Sequence, residues 1–286
     1  MTIELVMQPD VHVIAHTVID RDGLATWADA HGMTEIYDDA GTPLGKIAED
    51  LWGSRAASID ALPEFGGRFC YRSWEKGRDR PDYLANIIES AHGSVLHHST
   101  VSFAISGVSR SLSLELLRHH AGADPSQESQ RYVDAKDIRF VVPPLVLALA
   151  EHEPELIEEF RADCEFALGQ YVGLQSSLTN RMSYGAAAST AVGDKLATMR
   201  KKRIMEAARA HLPNAAETRL LWTMNMRAAR HVCALRGAEF ADLEIRRLAC
   251  EFTRVLKVMA PHTFYDFEIY RADDGFDAVR CQHPKV

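Results

Sequence analysis

Apolar and polar positions alternate from Val11 to Thr17, with Val11, Val13, Ala15 and Thr17 set against His12, Ile14 and His16, and this β-branched run predicts an opening strand. Asp20-Arg21-Asp22-Gly23 marks the turn after it. From Leu24 to Gly67, helix-like patches at Leu24 to Ala30 and Ile47 to Trp52 are interrupted by Gly41, Pro43, Gly45 and Pro63. Within Tyr83 to Gly93, the residues Leu84, Ile87, Ile88 and Ala91 share one helical face, and Gly93 supplies a stop. A second alternating run, Val101 to Gly107, predicts a strand. Ser109 can cap the next helix, whose core face is Leu112, Leu116 and Leu117 and whose C-terminal end carries Arg118, His119 and His120.

Farther on, Ile138 to Val142 reads as a strand halted by Pro143-Pro144, and Pro154 opens a long helix reaching about Leu174. The Ser, Thr, Gly and Ala cluster from Ser176 to Val192 predicts a mobile loop. Lys195, Arg200, Lys201, Lys202 and Arg203 read as a solvated helix face. The last third reads as helices over Met205 to His211, about Thr218 to Leu235, and about Ala241 to Met259. Asn225, Arg227, His231 and Arg236 are polar insertions among Leu220, Leu221, Trp222, Val232 and Leu235. Asn225 lies on one side with Ala228 and Ala229, either capping or bridging inside a helical core. No internal repeat, GxGxxG or GxxxxGK[ST] loop is present in the sequence.

Composition narrows the class. The 286 residues are 47% hydrophobic and 25% charged, an ordinary balance for a soluble globular protein. A formal net charge of -8 argues against nonspecific nucleic-acid or anionic-membrane binding, so positive charge must act locally. Cys70, Cys164, Cys233, Cys250 and Cys281 are odd in number and scattered, which fits a reducing cytoplasm; Cys233 and Cys250 read as small core residues. His97 and His120 have no third ligand at metal spacing, so no metal is expected.

The chemistry gathers after Arg118. Arg118 and Arg131 bracket a Gly- and Pro-containing loop that carries Ser126, Gln127, Ser129 and Gln130: fixed cations with hydroxyl and amide donors, a combination suited to a phosphate. Taken alone, Arg236 can also be a helix C-terminal cation and His98 a core histidine near a strand start.

Two collinear blocks resemble the flavin-dependent thymidylate synthases. The first holds Val95-Leu96-x-His98, Val101-Ser102-Phe103, Gly107-Val108-Ser109-Arg110, Arg118-His119 and Ser126-Gln127-x-Ser129-Gln130-Arg131-Tyr132. The second holds Ala208-Arg209, Leu212-Pro213, Glu217-Thr218, Asn225-x-Arg227, Arg236 and Ala241-Asp242-x-Glu244-Ile245-Arg246. The resemblance implies an α+β fold with a small antiparallel sheet packed with long helices, a single domain over 1–286 with a helical insertion at about 144–206, and assembly as a homotetramer. It implies FAD-dependent reductive methylation at C5 of a uracil nucleotide, with methylenetetrahydrofolate as carbon donor and NADPH as reductant.

By the same resemblance, Glu115, Arg118, Gln127, Ser129, Gln130, Arg131, Arg209 and Arg236 are placed at the nucleotide. His98, Thr100, Arg118, His119, His120, Ser126, Asn225, Arg227 and His231 are placed at or near FAD. Arg236, facing the pyrimidine edge, is the candidate catalytic residue, because a guanidinium there stabilises negative charge on the ring. The chain departs from the family pattern at His120, where arginine is usual, and at His97, where glutamate is usual. His231 and Phe240 also replace other polar residues, and the loop after His119 is one residue longer. These departures leave UMP beside dUMP as substrate. An NADPH-oxidising or nucleotide-binding flavoprotein without methylation, and a nonenzymatic binding protein, are the readings of other classes.

Overall fold

A computed structural model of the chain describes residues 3–31, 58–73, 78–183 and 191–286. The first elements are β1 (Leu5–Val6), β2 (Asp10–His16), α1 (Arg21–Ala30), α2 (Ser58–Tyr71) and α3 (Arg80–Glu89). A 3-10 turn over Gly93–His98 leads into β3 (Thr100–Ser109) and α4 (Arg110–Leu116). Then come β4 (Ala123–Gln127), β5 (Phe140–Val141), α5 (Pro144–Leu149), α6 (Glu155–Ser183) and α7 (Ala191–Ala208). The chain closes with β6 (Glu217–Asn225), α8 (Met226–Arg236), α9 (Leu243–Met259), β7 (Phe267–Arg271) and β8 (Asp277–Cys281). A four-stranded sheet has the order β2-β3-β6-β4; β1 and β5 form a parallel pair, and β7 and β8 an antiparallel one. The mixed helix-and-strand architecture agrees with the α+β expectation.

Contacts divide the chain into two compact units, and each strand of the four-stranded sheet contributes residues to both. One unit gathers the described residues of Met1–Asp10, Ile105–Arg118 and Ser126–Leu221. Its core holds Phe140, Leu168, Tyr171, Ala208 and Ala216, all nearly excluded from solvent, so apolar burial drives its formation. The buried Tyr171 hydroxyl does not go unpaired: it donates to Asp134 Oδ1 at 3.2 Å and accepts from the Ala135 amide at 3.2 Å.

The other unit gathers the described residues of Val11–Ala104, His119–Pro125 and Trp222–Val286. The α9 helix buries Ile245, Leu248, Ala249, Phe252 and Leu256 at helical spacing, and Phe252 packs against Phe103 at 4.8 Å and Trp222 at 6.0 Å between ring centroids. The α8 helix is pinned by Arg230, whose two terminal nitrogens donate to the two oxygens of buried Asp266 at 2.7 and 2.9 Å. Removing one partner of such a buried pair costs about 3–5 kcal/mol, because the other charge is left uncompensated. Cys233 and Cys250 are buried, as expected for core thiols, and Cys164 is buried as well; burial pushes the Cys233 thiol up to about 12.

Several expectations are corrected. The helix expected from Thr218 is a strand up to Asn225: Leu220, Trp222 and Met224 are buried while Arg219 and Leu221 are exposed, a two-residue period that the clustered Leu-Leu-Trp run conceals. Helix begins only at Met226, where Asn225 adopts an extended conformation and its Oδ1 accepts from the Ala228 amide at 2.8 Å. The loop between the two arginines contains β4, whose Pro125 is tolerated because β4 is an edge strand. Ser176 to Ser183 belongs to α6 rather than to a loop, and Thr179 donates back to the Gln175 carbonyl at 2.8 Å instead of breaking the helix.

The basic run from Lys195 lies on α7, which starts well before Met205, and most of its residues are exposed. Helix α3 ends at Glu89, with Ser90 as its C-cap and Ala91 at φ 55°, so Gly93 is not its stop; Gly93 opens the 3-10 turn. The patch from Ile47 to Trp52 and residues 184–190 lie outside the described residues.

Candidate active site

The expected nucleotide residues, apart from Arg236, fall in the first unit: Glu115, Arg118, Gln127, Ser129, Gln130, Arg131 and Arg209. Gln127, on β4, is fixed by its own amide, which donates to Ser113 Oγ at 3.0 Å and Thr218 Oγ1 at 2.9 Å. Ser129 organises the turn that follows: its carbonyl accepts the amides of Tyr132 and Val133 at 3.0 Å each, and its hydroxyl accepts the Arg131 amide at 3.3 Å. Ser129 and Gln130 line a cavity of about 180 Å³ with Asp134, Arg139, Glu217 and Thr218.

One wall of that cavity is rigid. Arg139 pairs with Glu217 through two nitrogens, one of them Nε at 2.7 Å, and Glu217 also accepts the Gly107 amide at 2.8 Å. Hydrogen bonds to Glu217 raise the Arg139 pKa above its ordinary value.

Arg131 differs from Arg139 in having an unsatisfied donor. Its Nε–H is buried with no acceptor among the described residues, and one terminal nitrogen reaches Glu206 on α7 at 3.3 Å. An orphaned buried guanidinium donor suits an anionic oxygen ligand, and with the Ser129 hydroxyl and Gln130 amide on the same loop the residue types present fit a phosphate monoester. Next to it, exposed Tyr132 accepts from Lys202 Nζ at 2.8 Å, and that hydrogen bond holds its phenol below the usual range. Arg209 is half-buried in the 3-10 turn Arg209–His211, and the Arg118 amide closes the end of α4 on the Glu115 carbonyl at 3.2 Å. Ser126, expected near FAD, is exposed on β4 in this unit.

The remaining FAD residues, with Arg236, fall in the second unit. Arg236, at the end of α8, donates from Nε to His119 Nε2 at 2.7 Å. Because arginine does not give up its proton, His119 Nε2 must be the lone-pair nitrogen, and any ring proton sits on Nδ1. His231, one turn back on α8, places its ring 5.6 Å from that of His119. At the other end of α8, Arg227 Nη1 lies 3.4 Å from His97 Nε2. His98 and His120 are exposed, and Thr100 is tied to Thr17, whose Oγ1 accepts the Thr100 amide at 2.9 Å.

Asn225 links two parts of this unit. Besides capping α8, its backbone N–H donates to the Gly122 carbonyl at 2.9 Å, and Gly122 stands at φ 77° with space for no side chain: a Cβ there would lie 2.2 Å from Asn225 Nδ2. Gly122→Ala is therefore expected to lower stability by about 2 kcal/mol, from left-handed strain plus a displaced cap. Thermal unfolding measures it, and an unchanged midpoint would mean the turn tolerates a side chain. Gly66 similarly leaves room for His98, whose Cδ2 a Cβ would approach to 2.9 Å.

Among the described residues no helix is long and apolar enough to cross a membrane. Sequence reasoning gave no site role to Lys202, Glu206, Arg139 or Glu217. The i, i+4 spacing of Lys202 and Glu206 on one basic helix was the available signal for the first two.

This α+β protein thus presents fixed cations with hydroxyl and amide donors in one unit and, in the other, a capped helix whose His231 and Arg236 meet His119. Residues 55–262 match the family described as Thymidylate synthase complementing protein, Thy1. The chain is 44% identical over 232 residues to a flavin-dependent thymidylate synthase of Mycolicibacterium vanbaalenii, covering 80% of this chain and 87% of the relative. A flavin-dependent thymidylate synthase of Mycobacterium marinum is 43% identical over 232 residues, with the same coverage of 80% and 87%. The chain belongs to this family and is an enzyme of the flavin-dependent thymidylate synthase type. Its fold is also similar to the crystal structure of the UMP/dUMP methylase PolB from Streptomyces cacaoi bound with 5-Br dUMP. There the TM-score is 0.56 at 18% identity, over 92% of this chain and 96% of that one.

Proposed function

We propose that the protein methylates C5 of a uracil nucleoside monophosphate, dUMP or UMP, using FAD, methylenetetrahydrofolate and NADPH. The observation that carries this reading is Arg131, a guanidinium whose buried Nε–H lacks an acceptor among the described residues, on the same loop as Ser129 and Gln130. In this account Arg131, Ser129, Gln130 and Arg209 hold the phosphate, with Arg118 also reaching the nucleotide, and Gln127 braces β4 beneath them.

Arg236 faces the pyrimidine and stabilises negative charge on the ring N3 and carbonyls, which raises electron density at C5. His119 holds Arg236 in place through its lone-pair nitrogen. Arg227, Asn225, His98, Thr100, His119, His120, His231 and Ser126 are assigned to the flavin side. When bound, the flavin supplies the hydride and the folate the one-carbon unit, while the protein positions and polarises the nucleotide. From the family resemblance we also propose a cytoplasmic homotetramer, in which exposed Phe240 and Leu235 are apolar surface that subunit contacts would bury.

The test is the absorption spectrum of the purified protein, titrated with dUMP and with UMP. The proposal expects a flavin band that at least one nucleotide perturbs, and NADPH oxidation that methylenetetrahydrofolate and nucleotide couple to methylation. Colourless protein, or a band indifferent to both nucleotides, would remove it.

A further inference from the structure

We propose that Glu206 competes with the substrate phosphate for Arg131, so that nucleotide binding is an exchange of one anion for another and Glu206 sets the nucleotide affinity. The inference rests on the reading of Arg131 as a nucleotide ligand and adds a residue to that site.

Arg131 Nη2 is 3.3 Å from Glu206 Oε2, and the two side chains are 39% and 44% exposed. A half-exposed, single-point ion pair of this kind is weak and readily exchanged. Glu206 engages one terminal nitrogen while Nε–H has no acceptor among the described residues, so the Nε–Nη2 edge of the guanidinium is half used. A phosphate dianion offers two oxygens to that same edge and satisfies both donors at once, which gives it the advantage over the carboxylate.

The contact is built rather than incidental. Lys202, one turn before Glu206 on α7, bonds the phenol of Tyr132 at 2.8 Å and lies 4.8 Å from its ring centroid. One face of α7 therefore grips two consecutive residues of the nucleotide loop. The same spacing gives displaced Glu206 an alternative cation, since residues four apart on a helix are neighbours. The exchange also confers selectivity: a ligand without a phosphate cannot take Arg131 from the carboxylate, so nucleosides are disfavoured against monophosphates.

Calorimetric titration of the flavin-loaded enzyme with dUMP and, separately, with inorganic phosphate tests the exchange in wild type, Glu206→Gln, Arg131→Ala and the double variant. Glu206→Gln is expected to lower the Kd for both ligands about two- to fivefold, the range of a lost exposed ion pair. In the Arg131→Ala background the same substitution should change neither Kd. An unchanged or raised Kd in Glu206→Gln overturns the proposal, and so does an equal gain in both backgrounds, which would report only the removal of a nearby negative charge. A protein that gains affinity for inorganic phosphate through Glu206→Gln but takes no uracil nucleotide retains the exchange and removes the nucleotide reading instead.

Discussion

Replacing Arg236 with alanine is expected to lower kcat for nucleotide methylation about 10²–10³-fold, the loss typical of removing a charge-stabilising donor, while the flavin content of the folded protein stays close to wild type. Arg236 is half-buried and carried on the last turn of α8, and its Nε is committed to His119 at 2.7 Å. That bond restrains the guanidinium, and in the proposed function the charge so held stabilises the negative charge that develops on the ring. Alanine removes the charge and leaves His119 without its donor. The cost to stability is small, since a cation at a helix C-terminus contributes only about 0.3–1 kcal/mol. Turnover and flavin absorbance measured on the same preparation separate the roles. A variant that folds but has lost its flavin would move Arg236 from the nucleotide to the cofactor.

Arg131→Ala should act on binding instead, weakening nucleotide affinity by about 1.5–3 kcal/mol, the value of a hydrogen bond to a charged group, or roughly 10- to 100-fold. Two features of Arg131 support an effect in that range. Its Nε–H is buried without an acceptor, and the loop around it is held by the Ser129 carbonyl and the Lys202–Tyr132 contact, so the site persists when the guanidinium is gone. Titration with dUMP reads the change directly. Unchanged affinity would take Arg131 out of the site.

The sequence made some elements legible and hid others for physical reasons. Ser109 was readable as a cap because a hydroxyl before an apolar helical face has one local job, and its side chain does accept the Leu112 amide at 3.1 Å. The alternating run in β3 was equally clear, because burial on one face leaves a two-residue signature. The segment from Glu217 to Arg236 misled because Leu220, Leu221 and Trp222 satisfy a helical and a strand pattern alike. Only Asn225, in its capping conformation, marks the change from strand to helix. Ser176 to Ser183 misled in the opposite sense: its small polar residues resemble a loop, yet they continue a long helix.

The loop from Ser126 to Tyr132 is a candidate phosphate site on residue types, since it sets a cation, hydroxyls and amides together after the turn that holds Gly122 and Pro125. The Arg131–Glu206 contact and the His119–Arg236 bond could not be read that way. Each depends on two residues far apart in the chain meeting at one point, and neither the separation of 75 from Arg131 to Glu206 nor that of 117 from His119 to Arg236 leaves a periodic trace.

The central claim is methylation at C5 of a uracil nucleotide, and release of tritium from the C5 position tests it most directly. Enzyme with reduced FAD and methylenetetrahydrofolate, given C5-tritiated dUMP or UMP in turn, is predicted to release tritium to water from at least one of them, and only when the folate is present. Retention of tritium in both nucleotides by flavin-loaded, folded enzyme would contradict the account.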